Sequence, residues 1–567
     1  METYFRTPEE HIASIRQEKF SLAPDGSLIA PNTLSDDLQR AISRLSQGLY
    51  SRETHFILEL IQNAEDNRYE ENEKPDLTFT LFSRDPTGTP KAEGALLVIN
   101  NEAGFRSEDV KALCAIGQTT KTKREGYVGE KGIGFKSVFV VSSQPHILSA
   151  GYQFRFQEEP DPQAELGYIV PYWVSEVSPE IKKHGNKTCI VLPLKAGKLE
   201  GVAKELETIA PETVLFLSKL QGLTVQIEDQ EPIEVIRDDT RRPLVQFVTG
   251  DQYVEFWVVE QEVHIPPDLH EEKREDITTR KVSVALPLTA KVSFKERVFA
   301  FLPTRVNSDF PFLINADFIL STSRETIQFD RPWNRWLRDC IAPAFIEAFE
   351  SLLDEPKHRA RAYSYIPLAG DDQEGFFQPT VEAIHNELSD RAVIWAFGGE
   401  TLVKPREARL APLKFRKLLS YAHIPTQLQN TPLVHPQIQT YGKQLKAIGV
   451  EDMSPEEVIE CLKDESWLES QDPQWFIALH EYLNEQSWAT EERLRELRLL
   501  PLQDGRISNT VEQPVYFPGE DVQEIRQLQA QVSSVLTIAF LNPKLYALLD
   551  GNQGVTQWLV DNYSITN

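Results

Sequence analysis

The chain has 567 residues, a formal net charge of −27 and 41% hydrophobic residues, which is the composition of an ordinary globular protein. This acidity argues against a broad nucleic-acid or anionic-membrane surface, because phosphate groups are bound by clustered lysine and arginine. No apolar run approaches the roughly 20 residues that span a bilayer. The four cysteines form no C-x-x-C pair, so we expect reduced thiols in an intracellular protein, cytoplasmic or nuclear.

The distribution of apolar and polar residues predicts an α+β chain in four parts. A short N-terminal extension, 1–37, precedes a region of alternating helices and strands, 38–205, that is typical of an α/β sandwich. The next part, 206–355, is a mixed, β-rich region, and 356–567 is mixed and leans towards helix. The last residues contain no clear terminating element, which leaves open that the chain is a piece of a longer protein.

The predicted elements follow from periodicity and from turn residues. Helices are predicted at 51–67, 107–114, 132–141 and 333–353. Strands are predicted at 77–82, 95–100, 146–148, 152–156, 188–194, 225–227, 253–259, 282–286 and 298–301. The segment 117–127 is polar, rich in lysine and threonine and flanked by glycines, which predicts a mobile cover.

Two segments carry most of the chemistry. In the run Glu-Leu-Ile-Gln-Asn-Ala-Glu-Asp, residues Glu59 and Asn63 are one turn apart and lie on one face of the predicted helix. The second segment, 129–135, is a glycine-rich turn that opens a helix, an arrangement that aims backbone N–H groups at a phosphate. We reject a P-loop, because Phe135 stands where the P-loop has a glycine.

An acid and an amide on a helix, followed later in the chain by a glycine-rich turn that opens a helix, resemble the motifs of the GHKL ATPases. This superfamily contains gyrase, heat-shock chaperone ATPases, histidine kinases and MutL. The run around Asn63 matches its N-box, and 129–135 matches its second glycine motif. Gly104 and Phe105 match the end of its D-x-G-x-G motif, and Thr188 matches a late threonine that helps to bind adenine.

Within that superfamily, several runs look like the sacsin/NO VEIN branch. They are Asn-Asn-Glu-Ala-Gly-Phe at 100–105, Gly-Tyr-Val-Gly-Glu-Lys-Gly-Ile-Gly-Phe-Lys-Ser-Val-Phe at 126–139, Phe-Leu-Pro-Thr at 301–304, Asn-Ala-Asp-Phe at 315–318 and Pro-Trp-Asn-Arg-Trp-Leu at 332–337. The similarity covers about 38–355 well.

The resemblance implies a Bergerat-type α/β sandwich ATPase domain over 38–205 that binds ATP with Mg²⁺, followed by a chaperone-like middle domain over 206–355. It implies that Asn63 holds the metal, and that Glu59 polarises the attacking water. The other residues that it assigns to the nucleotide are Asp66, Asn100, Gly104, Phe105, Lys121, Gly129, Gly132, Gly134, Phe135 and Thr188.

Two further features bear on the implied site. The segment 320–328 looks like the chaperone loop whose arginine reaches the γ-phosphate, which implies a catalytic role for Arg324 and a nucleotide contact for Gln328; the alternative is a surface Arg–Glu pair. Asn100 stands where most of the superfamily has the aspartate that accepts the adenine amino proton, and Glu102 replaces the first glycine of that motif.

Our leading hypothesis is a chaperone-like ATPase, with ATP and protein clients as partners, in which nucleotide closes the lid 117–127 and docks the middle domain. The alternative is a pseudo-ATPase that senses nucleotide or serves as a scaffold. A histidine kinase ranks third, because it needs a phosphoacceptor histidine upstream of the ATP domain and this upstream segment is short. A metalloenzyme has little support, since no H-x-x-x-H or comparable cluster is present.

Overall fold

The computed structural model describes residues 7–29, 35–48, 55–115, 134–185, 187–249, 252–271, 274, 277–289, 298–321, 325–368, 370, 375–399, 401–420, 424–429, 431–518 and 539–565. The chain divides into two compact units. The first unit comprises Met1–Leu352 and Ala369–Val381, and the second comprises Leu353–Leu368 and Glu382–Asn567. The prediction of an α+β protein is confirmed, since both helices and a large mixed sheet are present.

The first unit is built on one 14-stranded sheet among the described residues. Its strands are β1 Asp76–Phe82, β2 Gly94–Asn100, β3 His146–Ser149, β4 Tyr152–Arg155, β5 Tyr172–Trp173, β6 Thr188–Leu194, β7 Gly222–Ile227, β8 Ile233–Arg241, β9 Leu244–Thr249, β10 Gln252–His264, β11 Thr279–Pro287, β12 Val298–Ala300, β13 Leu302–Pro303 and β14 Leu313–Ala316. Their order is β13-β12-β14-β11-β10-β9-β8-β7-β1-β2-β6-β3-β4-β5. Neighbours are antiparallel except for the parallel pairs β1–β7 and β12–β14.

The helices of the first unit are α1 Pro8–Phe20, α2 Ser35–Gly48, α3 His55–Asp66, α4 Ser107–Leu113, α5 Pro179–Lys182, α6 Leu199–Glu207, α7 Pro332–Asp339 and α8 Ile341–Leu353. Short 3₁₀ helices cover Gly134–Val140 and Pro211–Val214.

The central strand β2 explains why this region is stable. All seven of its residues are buried, so both faces of the strand are covered. Leu96 and Val98 belong to the main core together with apolar residues of α3, whereas Leu97 and Ile99 pack with Ile181 of α5. A run of aliphatic residues rather than an alternating pattern is what such a doubly covered strand requires.

Helix α3 forms because its apolar residues recur at helical spacing. Phe56, Leu60, Ile61 and Ala64 are buried in the main core. The helix also carries buried polar residues, which is unusual for a helix that only covers a sheet. Its polar face therefore points to a site inside the protein rather than to solvent.

Two predicted helices are corrected by the structure. The helix predicted at 333–353 is broken into α7 and α8 at Cys340. Pro343 explains the break, because proline has no N–H to bond the carbonyl of the preceding turn and fits only in the first turn of a helix. The helix predicted at 132–141 is a 3₁₀ helix over Gly134–Val140, and residues 132–133 lie outside the described part of the chain.

The hairpin of β8 and β9 was not predicted. This hairpin pairs with β7, and β7 pairs in parallel with β1, starting at the pair Asp76–Gly222. Strand β1 belongs to the predicted part 38–205 and β7 to the predicted part 206–355, so the sheet joins these two parts. The sheet is therefore continuous from the N-terminal part of the unit into the later one.

The second unit has a core of its own that includes Trp467, Leu479 and Leu559. Its helices are α9 Arg359–Ala362, α10 Gln378–Asp390, α11 Leu413–Lys417, α12 Gly442–Ala447, α13 Pro455–Cys461, α14 Glu465–Glu469, α15 Pro473–Asn484, α16 Glu491–Leu494, α17 Pro543–Leu549 and α18 Gln553–Tyr563. Its strands are the two-residue pairs Ile394–Trp395 with Leu402–Val403, Arg409–Leu410 with Glu451–Asp452, Leu500–Pro501 with Ile507–Ser508, and Val515–Tyr516 with Ala539–Phe540.

Candidate nucleotide-binding site

The polar face of α3 lies inside the first unit. Glu59 is only 4% exposed and Asp66 only 3%, whereas Asn63, one turn from Glu59, is half-buried. A carboxylate is costly to bury without compensating contacts, so the position of Glu59 calls for a specific environment. Asn63 and Glu59 lie one turn apart on the same helix face, and Asn63 is the more exposed of the two.

Glu59 lies directly against the second glycine motif. A methyl group built on Gly134 would stand 2.1 Å from Glu59 Oε2 and 3.2 Å from its carboxyl carbon. Only glycine allows this approach, because real Cβ atoms do not come so near to a carboxylate oxygen. Two motifs that are far apart in the sequence therefore meet at one point.

The 3₁₀ helix that starts at Gly134 is anchored by its own side chains. Ser137 Oγ donates a hydrogen bond to the carbonyl of Gly134 at 2.6 Å. Phe135 is half-buried, with its ring centroid 6.2 Å from that of Phe156. The backbone at Gly134 is thus held in place by the residues that follow it.

Lys136 is buried and was not predicted to have a role. Its Nζ donates to the carbonyl oxygens of Leu113 at 2.7 Å and Tyr168 at 2.9 Å, and lies 4.3 Å from the centroid of the Phe156 ring. Burial lowers the pKa of Lys136 to about 7. Its side-chain nitrogen bonds the carbonyl at the end of α4 and that of Tyr168, so it anchors the glycine turn.

Asn100 ends β2 within a network of polar groups. Its Nδ2 donates to the carbonyl oxygen of Asp76 at 2.8 Å and to Tyr69 Oη at 2.9 Å. Its Oδ1 accepts a hydrogen bond from Asn67 Nδ2 at 3.1 Å. Because a carbonyl oxygen can only accept, the contact with Asp76 fixes which end of the Asn100 amide is the donor. Burial raises the pKa of Tyr69, so this hydroxyl stays protonated.

Gly104 and Phe105 follow Asn100 in a turn that needs glycine. Gly104 has a φ of +87°, and a methyl group there would stand 2.8 Å from the Cβ of Ala150. The amide of Phe105 donates to Ser149 Oγ at 2.9 Å, and Ser149 Oγ is 2.5 Å from Thr188 Oγ1. The structure therefore places Thr188 beside the Gly104–Phe105 turn, with Ser149 as the link between them.

The cross-strand register completes this side of the site. Thr188, the first residue of β6, is paired with Asn100, the last residue of β2, so both residues lie side by side at the same end of these two strands. Thr188 is 3% exposed and Asn100 is 5% exposed. Ser149 was not identified from the sequence, and no local pattern around it would have indicated its role.

Several predicted site residues fall outside the described part of the chain. They are Lys121, Gly129, Gly132, Arg324 and the predicted lid 117–127. Gln328 is described, and its Nε2 donates to the carbonyl of Leu320 at 2.8 Å. Leu320 and Ile327 form an antiparallel bridge, and the buried amide of Asn334 bonds the N–H and the C=O of Ile319 and the C=O of Gln328. The side chain of Gln328 thus has a backbone partner across this bridge.

Two features of the described residues concern membrane insertion and metal binding. No helix in these ranges is long and apolar enough to cross a membrane. In the same part of the chain, no group of three or more His, Cys, Asp and Glu side chains is arranged to hold a metal ion. All four cysteines are free, as the sequence predicts.

Comparison with known proteins gives two matches. Residues 36–166 match the Sacsin domain family. The chain is also similar to Protein NO VEIN of Arabidopsis thaliana, with 32% identity over 488 residues. This alignment covers 80% of the chain but only 17% of the length of that protein. The matches support the sacsin/NO VEIN-like branch that the sequence motifs predict.

Proposed function

We propose that residues 38–205 form a GHKL-type ATP-binding domain of the Bergerat kind, which binds ATP with Mg²⁺. The observation that carries this proposal is the approach of Glu59 to Gly134, since it joins the acidic helix to the glycine turn. These are the two elements that a nucleotide site needs at its phosphate end: an acid and amide for water and metal, and backbone N–H groups for phosphate.

The base end of the site fits adenine. The contacts of Asn100 Nδ2 with Asp76 and Tyr69 leave Oδ1 as the acceptor end of the amide, where the amino group of adenine would take the place of Asn67 Nδ2. An acceptor suits the 6-amino group of adenine and opposes the 6-keto group of guanine. A neutral asparagine can therefore replace the aspartate of the superfamily in this function. Thr188 is paired with Asn100 on the neighbouring strand and supplies a hydroxyl group at the same end of the strands.

The metal end fits Mg²⁺. Asn63 is half-buried and offers an amide oxygen, and Mg²⁺ usually takes only one or two protein oxygens and keeps its waters. When bound, the metal ion would neutralise the charge of the phosphates. Glu59, one turn away and buried, would orient and polarise the attacking water as a carboxylate.

A chaperone-like cycle is the extension of this proposal. In it, 117–127 closes over the nucleotide, Lys121 and the glycines of 129–135 hold the phosphates, and Arg324 of the later part docks on the γ-phosphate. An arginine at that position would favour the closed state only with ATP, because ADP lacks the contact. Protein clients would respond to this closure. The resemblance to chaperone ATPases supports this extension.

The second candidate is a nucleotide-sensing or scaffold pseudo-ATPase without turnover. Two observations favour it. Glu102, which replaces a motif glycine, is buried beside the proposed base site. The side chain of Gln328 is bonded to the carbonyl of Leu320 rather than extended towards a ligand.

Single-turnover hydrolysis by the full chain separates these candidates. Wild-type protein in excess over radiolabelled Mg·ATP should release phosphate, and Glu59→Gln should bind ATP with unchanged affinity but hydrolyse it at least about 10²-fold more slowly. Glu70→Gln is the matched control, because Glu70 is exposed just beyond the same helix. ATP binding without phosphate release in wild type would establish the pseudo-ATPase, and absence of binding would refute both candidates.

A further inference from the structure

We propose that Glu65 is a positioning residue that fixes the site-bearing helix α3 to the segment 211–220 and thereby couples the nucleotide site to β8 and β12. The mechanical part of this proposal stands on contacts in the first unit. Its effect on nucleotide rests on the proposed ATP-binding function.

Glu65 of α3 is bonded to three consecutive residues of the segment 211–220. It is 1% exposed, and its two oxygens accept hydrogen bonds from the backbone amides of Ser218 at 2.7 Å, Lys219 at 3.0 and 3.1 Å, and Leu220 at 2.9 Å. The hydroxyl of Ser218 donates a further bond at 2.6 Å. Hydrogen bonds to an ionised acceptor are shorter and stronger than neutral ones, so this contact fixes the end of α3 in place.

The position of Glu65 gives that contact its effect on the site. It follows Asn63 closely on the same helix, and a helix moves as one body over so short a distance. Lys219 Nζ also donates to the carbonyl of Asn67 at 3.0 Å, and Asn67 in turn donates to Asn100 at the proposed base end. The segment thus restrains both the metal end and the base end of the site.

The same segment is also held by a buried arginine. Arg237 of β8 is 5% exposed, and its Nη1 donates to the carbonyl oxygens of Val214, at 2.9 Å, and of Leu217. Arg237 therefore donates hydrogen bonds to carbonyl oxygens of the segment, and Glu65 accepts hydrogen bonds from the backbone amides that follow them in the chain. Burial and the proximity of Asp239 and Glu65 act in opposite directions on the pKa of Arg237, and burial dominates by lowering it.

The segment also contacts the later strands. The ring of Phe216 packs on Phe299 of β12, with centroids 5.0 Å apart in an edge-to-face arrangement. Strand β12 is parallel to β14, which is followed in the chain by the bridge between Leu320 and Ile327. A displacement of β12 would therefore reach α3 through Phe216 and Glu65.

Glu65 and the segment 211–220 depend on each other. The amides of Ser218, Lys219 and Leu220 need an acceptor, which an apolar side chain cannot supply, and a buried carboxylate is stable only with a complete set of donors. Such a carboxylate therefore fixes one position of α3 relative to the segment 211–220, as a positioning contact requires. The sequence gives no signal for this role, because the donors are backbone amides far along the chain.

The test uses the full chain with Glu65→Gln, Glu65→Leu and Ser218→Ala, and with Glu70→Gln as the matched control. Ser218→Ala removes one donor and keeps the charge, so it remains informative if Glu65→Leu does not fold. Without nucleotide, hydrogen exchange should become about tenfold faster in the peptides 55–66 and 134–141 of Glu65→Gln. The effect should be larger in Glu65→Leu and smaller in Ser218→Ala.

The second readout is the affinity for Mg·ATP, which should fall in the same order, by about tenfold for Glu65→Gln. Faster exchange confined to 214–222, with 55–66 and 134–141 unchanged, would overturn the positioning role and leave Glu65 as a local anchor. An unchanged affinity of the folded variants for Mg·ATP would also overturn the positioning role. If wild-type protein binds no ATP, the proposed function fails, and the exchange pattern still decides the role of Glu65.

Discussion

Gly134→Ala tests the contact on which the candidate site depends. The added methyl group would stand 2.1 Å from Glu59 Oε2, whereas ordinary van der Waals contact begins at 3.4 Å. The carboxylate must therefore move by more than an ångström, and as the far end of a flexible side chain it can do so only within an environment that leaves it 4% exposed. Overpacking that such a side chain can partly relieve costs about 1 kcal/mol, and a misplacement of this size can reduce turnover about 10²-fold.

Gly201→Ala is the matched control. Gly201 lies in α6, and nothing stands within 4 Å of the position that its Cβ would take. Alanine at an open helical position stabilises the fold by about 0.5–1 kcal/mol relative to glycine. Thermal unfolding should therefore show a lower melting temperature for Gly134→Ala and an equal or higher one for Gly201→Ala.

A double-mutant cycle with Glu59→Ala isolates the contact from any effect on nucleotide. Without the Glu59 side chain, Gly134→Ala has no carboxylate to displace, so its effect on the melting temperature should largely disappear. If Gly134→Ala behaves like Gly201→Ala, or if its effect is the same with and without Glu59, the two motifs do not meet as described and the proposed site loses its main support.

Three further predictions concern single side chains. Asn100→Asp should lower the melting temperature, by about 1–3 kcal/mol in stability, because a carboxylate oxygen would face the Asp76 carbonyl that the Asn100 amide now bonds at 2.8 Å; an unchanged melting temperature would mean that the amide is oriented the other way. Thr188→Val should weaken ATP binding and destabilise the fold by about 1–2 kcal/mol, since it removes the buried bond to Ser149 at 2.5 Å, and an equilibrium titration with ATP and a thermal melt would both have to be unchanged to contradict this. Burial lowers the pKa of His480 in the second unit from 6.5 to about 4, so the unfolded chain binds more protons between these pH values and stability falls as pH drops from 6.5 to 4; His480→Phe should flatten that dependence in unfolding measured by tryptophan fluorescence, and an identical pH profile would refute it.

The sequence predicted best what depends on short-range patterns. The strands around Asn100 and Thr188 and the helix that carries Glu59 and Asn63 were placed correctly, because apolar periodicity and flanking turns are local signals. The 3₁₀ form of the turn after Gly134 was missed, since it depends on contacts such as that of buried Lys136 with distant carbonyls.

The parts that sequence could not reveal are those made by distant groups. Ser149 joins Thr188 to Phe105 and belongs to no recognisable motif. Glu65 lies within the run that matches the N-box, but that run gives no sign of its bonds to the amides of residues 218–220. The β8–β9 hairpin was missed because β8 is largely exposed and carries many charged residues, which hides the alternation that marks a strand.

Calorimetric titration of ATP into the full chain, with and without Mg²⁺, tests the central claim most directly. The ATP-binding proposal predicts that wild-type protein binds ATP more tightly when Mg²⁺ is present, and that Asn63→Ala loses this dependence while it stays folded. Asn484→Ala, at an exposed position in the second unit, should behave like wild type. No heat of binding in wild type, or equal Mg²⁺-dependent affinity in Asn63→Ala, would contradict the proposal.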